Sequence, residues 1–111
     1  MLTQRSLKAL LSAITTELKE GGFQPQKVVL FGSYANGNVH AYSDVDIALW
    51  CDRFSGDAMN DFELIRFITR KYPLVNFKLY PSYATAANFD PFIEIIEQTG
   101  TLIYEQEKQF G

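Results

Sequence analysis

"FGSYANGNVHAYSDVDIALW", residues 31–50, decides how this chain reads. An apolar run ends on a Gly-Ser step, and ten residues later a second apolar run opens on two aspartates one residue apart. A glycine at the end of a strand lets the backbone approach a ligand closely. If residues 33–36 then open a helical turn, its first amides have no intrahelical acceptor and attract anions, with the Ser33 hydroxyl as a further donor. Residues two apart on a strand share a face, with their alpha carbons roughly 6.5–7 Å apart. Asp44 and Asp46 can therefore reach one divalent ion, or two ions about 3.5–4 Å apart that bridge substrate phosphates. Either half alone is ordinary: Gly-Ser steps are common, and Asp-x-Asp arises on many solvent-facing strands. The Gly-Ser step is no Walker A motif, because the Lys-Ser/Thr ending is absent.

Outward from this stretch, helical and strand patterns alternate. Leu7, Leu10, Leu11, Ile14 and Leu18 fall at helical spacing, and Gly21-Gly22 ends the run. "KVVLFG", residues 27–32, predicts a buried strand, and "SYANGNVHAYS" a short helical turn followed by a loop. In "DVDIALW", Val45, Ile47 and Leu49 face one way, and Asp44, Asp46, Ala48 and Trp50 the other. "DFELIRFITRKY", residues 61–72, predicts one helix with Leu64 or Ile65, Ile68 and Tyr72 on one face, stopped by Pro73. "LVNFKLY" predicts a third strand, with Asn76, Lys78 and Tyr80 opposed to Val75, Phe77 and Leu79. Asp90 then reads as an N-cap, Pro91 as the first helical residue and Gly100 as the stop, before a short last strand "TLIYE". The fold class is α/β (α+β): a mixed sheet flanked by helices, in one small domain over residues 1–111. The short connection between the first two strands favours pairing them antiparallel.

Composition narrows the function. The chain is 47% apolar and 14% aromatic with a net charge of −3, which suits a globular domain. It has no Lys/Arg run beyond Arg70-Lys71, so the footprint of a general nucleic-acid binder is missing. Cys51 is the sole cysteine, which removes disulfide frameworks and cysteine-based zinc sites and leaves it as a half-buried filler near a strand end. His40, the sole histidine, reads as a solvated loop residue. Tyr80 and Tyr83 read as packing or rim residues, with base stacking the alternative. No signal-peptide pattern or membrane-length apolar run occurs, so a cytoplasmic protein is expected.

"FGSYANG" followed by "YSDVDIAL" resembles the signature of the DNA polymerase beta-like nucleotidyltransferase superfamily, G-S-x10-D-x-D across two strands. More closely it is similar to the minimal nucleotidyltransferases, including antitoxin-type members paired with HEPN-domain proteins. The resemblance extends through the strand after Pro73 to "FIEIIEQTGTLIYE". It implies a nucleotidyltransferase-like fold with a site for magnesium and a nucleoside triphosphate. It also implies transfer of a nucleoside monophosphate, AMP foremost, to a hydroxyl acceptor with release of pyrophosphate. Gly32, Ser33 and Asn36 would then bind the nucleotide, and Asp44 and Asp46 the metal and the catalytic role.

Two positions depart from the family pattern. Asn36 stands where members commonly carry Arg, and offers neither its charge nor its fork of donors. Asn76 stands at the third-acid position, and Lys78 on the same face is no acid either. An Asn oxygen can ligate magnesium but cannot neutralise it or accept a proton, and a nearby ammonium repels a cation. Three readings follow: a weakened nucleotidyltransferase, a partner-binding antitoxin with residual transfer activity, and a catalytically inactive nucleotide-binding module. Nothing in the sequence decides between a monomer and a homo-oligomer.

Overall fold

A computed structural model describes residues 2–37, 39 and 44–106. The loop expected over 38–43 thus lies largely outside the described residues, and so does His40. Helix α1 (Gln4–Glu20) starts where the Thr3 side chain accepts from the Ser6 amide at 3.1 Å. It ends at Gly21, with Lys19 in its last turn against the negative end of the helix dipole. Its stripe of Leu11, Ile14 and Leu18 is buried, each worth about 1.5–3 kcal/mol over exposure.

Strands β1 (Pro25–Phe31), β2 (Val45–Cys51), β3 (Val75–Pro81) and β4 (Thr101–Glu105) form one sheet in the order β3-β2-β1-β4. β1 pairs antiparallel with β2, as the short first connection implied, and also with β4, while β2 and β3 run parallel. One face packs Val28, Leu30, Ile47, Leu49 and Phe77 against α1 and against Ile65 and Ile68. The other packs Val29, Ala48, Trp50 and Tyr80 under α5 (Phe92–Thr99), through Ile93 and Ile96. Because helices cover both faces, β2 is apolar on both sides beyond Asp46, as central strands are. Cys51 is accordingly fully buried rather than half-buried, and burial pushes its thiol pKa up.

The helix expected over 61–72 is two helices, α3 (Ala58–Leu64) and α4 (Arg66–Thr69), which meet at Ile65. The first begins early because the Asp57 side chain accepts from the Met59 amide at 3.1 Å. Asp61 is buried at 1% exposure, where it accepts from the Ser55 amide (2.8 Å), the Ser55 hydroxyl (3.1 Å) and the Gly56 amide (3.0 Å). The junction turns both Ile65 and Ile68 into the core and leaves Leu64 and Phe67 exposed. Helix α5 begins one residue later than expected, with Pro91 at the N-cap position and Phe92 first in the helix, while the Asp90 carboxylate still accepts from the Phe92 amide at 3.0 Å. Gly100 follows α5 in an extended conformation, and only glycine fits there: a Cβ would lie 2.4 Å from the Ile96 carbonyl and 2.6 Å from Val29 Cγ1.

Candidate functional site

The end of β1 and the starts of β2 and β3 meet at one end of the sheet, and the sequence places its polar residues there. Phe31 is the cross-strand partner of Asp46, so the residue that follows, Gly32, turns away beside the Asp46 carboxylate. Gly32 takes φ 75° and ψ −153°, a region essentially reserved for glycine. A Cβ at this position would lie 2.2 Å from Asp46 Oδ2 and 3.1 Å from its Cγ. Glycine is thus required twice, by its dihedrals and by the acid packed against it.

Gly32 opens the short helix α2 (Ser33–Asn36), whose carbonyl partner for the Ala35 and Asn36 amides is Gly32 itself, at 3.0 and 3.1 Å. The amides of Ser33 and Tyr34, first in the turn, have no intrahelical acceptor. Asn36 ends the turn and is exposed, followed by Gly37 in the left-handed conformation. Ser33 therefore stands at the mouth of the turn, one residue after the glycine packed against Asp46, while Asn36 stands at its far end.

Asp44 immediately precedes β2 and is exposed; Asp46 is half-buried inside it. Across the parallel pair, Asn76 is in register with Asp46. Its Nδ2 donates to Asp44 Oδ2 and to Asp46 Oδ1, both at 3.2 Å. One amide group thus bridges the two carboxylates. Burial raises the Asp46 pKa, the Asn76 hydrogen bond works against that, and the neighbouring Asp44 charge adds to it. The third-acid position read from the sequence is the position that faces the pair, and it holds no acid.

Lys78, two residues on, turns to other partners. Its ammonium lies 3.7 Å from Asp90 and 5.0 Å from the centre of the Phe92 ring. Asp90 also accepts from the Tyr80 hydroxyl at 2.8 Å; burial first, and then this hydrogen bond, push the phenol's pKa up. Tyr80 itself is buried against Trp50, with ring centres 4.9 Å apart, so packing is its role and base stacking is not. Tyr83 is exposed. Sequence reasoning missed Asp61 and the Lys78–Asp90 pair, because both depend on which distant elements meet.

Among the described residues no group of three or more His, Cys, Asp or Glu side chains could hold a metal ion. The donor set nevertheless fits one hard divalent cation. Magnesium is usually held by one or two carboxylates, with water and substrate phosphate completing six oxygens. Asp44 and Asp46 supply those two carboxylates, and the Asn76 nitrogen that bridges them is a donor rather than a ligand.

The family model described as polymerase beta, nucleotidyltransferase matches residues 13–109. Among curated proteins none matches significantly. A toxin-antitoxin crystal structure with AMP-PNP is similar at 20% identity and TM-score 0.60, over 90% of this chain and 74% of that one. A mutant of the MntA-HpeT toxin-antitoxin, carrying glutamate for two aspartates two residues apart, matches at 20% identity and TM-score 0.59, over 86% and 73%. A Sulfolobus solfataricus protein assigned as a nucleotidyltransferase matches at 16% identity and TM-score 0.56, over 95% and 82%. At these identities the likeness is one of fold. Among the described residues no helix is long and apolar enough to cross a membrane.

Proposed function

Since the chain belongs to the polymerase beta nucleotidyltransferase family, we propose that it transfers a nucleoside monophosphate, AMP from ATP foremost, to a hydroxyl on a protein partner. Transfer forms a bond between the acceptor oxygen and the α-phosphorus and breaks the bond to the bridging oxygen, with pyrophosphate leaving. Gly32 lets the phosphates approach the backbone, and the Ser33 amide and hydroxyl hold their outer oxygens. Asn36, at the far end of the turn, offers the phosphate tail a neutral donor.

Asp44 and Asp46 would hold magnesium, which when bound neutralises the phosphate chain and polarises the α-phosphate. The carboxylates themselves are brought into place by β2 and held together by Asn76, so positioning is built in before substrate arrives. With no third carboxylate on β3, the acceptor proton is lost to solvent rather than to a fixed base, and turnover is slow. General bases commonly contribute about 10²–10⁴-fold, which bounds the deficit.

The observation that carries this reading is the convergence of Asp44, Asp46 and Asn76 beside Gly32 at one end of the sheet. The altered aspartates of the MntA-HpeT mutant have the same one-residue gap as Asp44 and Asp46, and that structure is of a toxin-antitoxin. Together with the AMP-PNP of the other toxin-antitoxin structure, this supports an antitoxin whose acceptor is its toxin; that the partner is a HEPN-domain protein is what the sequence resemblance adds. The test is incubation of the chain and its co-purified partner with labelled ATP and magnesium, followed by mass spectrometry of the partner. Slow addition of AMP by wild type and faster addition by Asn76→Asp are expected. No addition by either variant would overturn the enzyme reading in favour of a nucleotide- or partner-binding module.

A further inference from the structure

The Asn76 amide does something an acid at the same position could not do. We propose that Asn76 is a positioning residue with two states. In the cation-free protein its Nδ2 protons hold Asp44 and Asp46 together, and when a divalent cation enters, the amide turns over and presents Oδ1 as a neutral third ligand. The proposal rests on the reading of Asp44 and Asp46 as the metal-holding pair.

Three observations lead to it. The single nitrogen of Asn76 stands 3.2 Å from an oxygen of each carboxylate, so both of its protons are used. The nitrogen and oxygen of the amide are nearly isosteric, and the terminal side-chain torsion is broad and two-fold. A half turn therefore places Oδ1 where Nδ2 now stands, beside an oxygen of each acid. Asn76 is exposed, so no packing blocks the turn.

Electrostatics decides which end faces inward. Without a cation, a carbonyl oxygen aimed at two carboxylates is repelled, and the nitrogen is held. With a cation between them the preference inverts, since an N–H cannot ligate a metal. The amide orientation is then slaved to occupancy. An aspartate at residue 76 would leave three carboxylates repelling one another whenever the cation is absent. The chain thus keeps an assembled pair of acids without metal, at the expense of affinity for it.

The experiment follows the Asn76 side-chain amide protons by ¹⁵N–¹H NMR during titration with magnesium chloride, the resonances being assigned by their loss in Asn76→Asp. Calorimetry with magnesium chloride and melting in EDTA are run on wild type, Asn76→Ala and Asn76→Asp. Both amide protons are expected to move upfield as they leave their carboxylates. Asn76→Ala should bind magnesium at least about tenfold more weakly, and Asn76→Asp at least about tenfold more tightly. Both variants should melt below wild type in EDTA. Amide protons that stay in place while wild type binds magnesium would overturn the two-state proposal and leave the metal-site reading intact. Failure of every variant, Asn76→Asp included, to bind magnesium would overturn the metal-site reading itself.

Discussion

Replacing Gly32 by alanine tests the packing of the site most sharply, because two separate effects meet at one methyl group. The dihedrals of Gly32 lie in a region that other residues enter at a cost of about 1–3 kcal/mol. The added Cβ also falls 2.2 Å from Asp46 Oδ2 and 3.1 Å from Cγ. Relieving that overlap means turning the Asp46 carboxylate aside, which breaks its 3.2 Å hydrogen bond from Asn76. Overpacking of this kind costs about 1–3 kcal/mol. The sum, about 2–6 kcal/mol, corresponds to a fall in Tm of at least about 8 °C for a domain of this size. A double-mutant cycle with Asp46→Ala separates the parts, because removing the carboxylate recovers the overlap and leaves the dihedral strain. Urea unfolding followed by circular dichroism reads all four corners of the cycle. Gly32→Ala within about 0.5 kcal/mol of wild type, or a coupling energy of zero, would refute the reasoning.

Three other outcomes follow from the same geometry. Asp61→Ala removes the buried acceptor for three hydrogen bonds from exposed Ser55 and Gly56 and should destabilise by about 1–3 kcal/mol, read by urea unfolding; a loss under about 0.5 kcal/mol would contradict that role. Because Asp46 has a raised folded pKa, the folded state holds its proton more tightly than the unfolded state. Its ionisation opposes folding, so its contribution is present at low pH and lost as pH rises through the folded pKa. Asp46→Asn should therefore melt above wild type at neutral pH in EDTA, and the gap should close on acidification. Glu17 behaves with the opposite sign, because hydrogen bonds from Lys71 and Tyr72 lower its pKa. Its contribution is present above the ordinary glutamate range and lost as pH falls through the folded pKa, so Glu17→Gln should narrow the wild-type advantage in acid.

Much of this was legible in local sequence. The leucine stripe of α1, the apolar run of β1 and the alternation of β2 are short-range patterns, and each forms the element it encodes. The Gly-Ser step and the paired aspartates were readable as well, because face-sharing on a strand follows from a period of two. What was not readable depends on contacts across long separations. The register that sets Asn76 against Asp46 is fixed by a parallel pairing across a helical crossover, which no local pattern specifies. Ile65 ends α3 because the core draws in both it and Ile68, while the apolar periodicity alone continued a single helix. Lys78 read as a threat to a cation at Asn76 because the sequence could not show that Asp90 takes up its ammonium.

In the proposed function, Asp44 and Asp46 hold a cation through which the chain grips a nucleotide. Calorimetry of ATP binding, with magnesium and then with EDTA, on wild type and on Asp44→Asn/Asp46→Asn measures it directly. Wild type should bind only when magnesium is present, and the double variant not at all. Equal binding by both proteins, or no binding by wild type with magnesium, would contradict it.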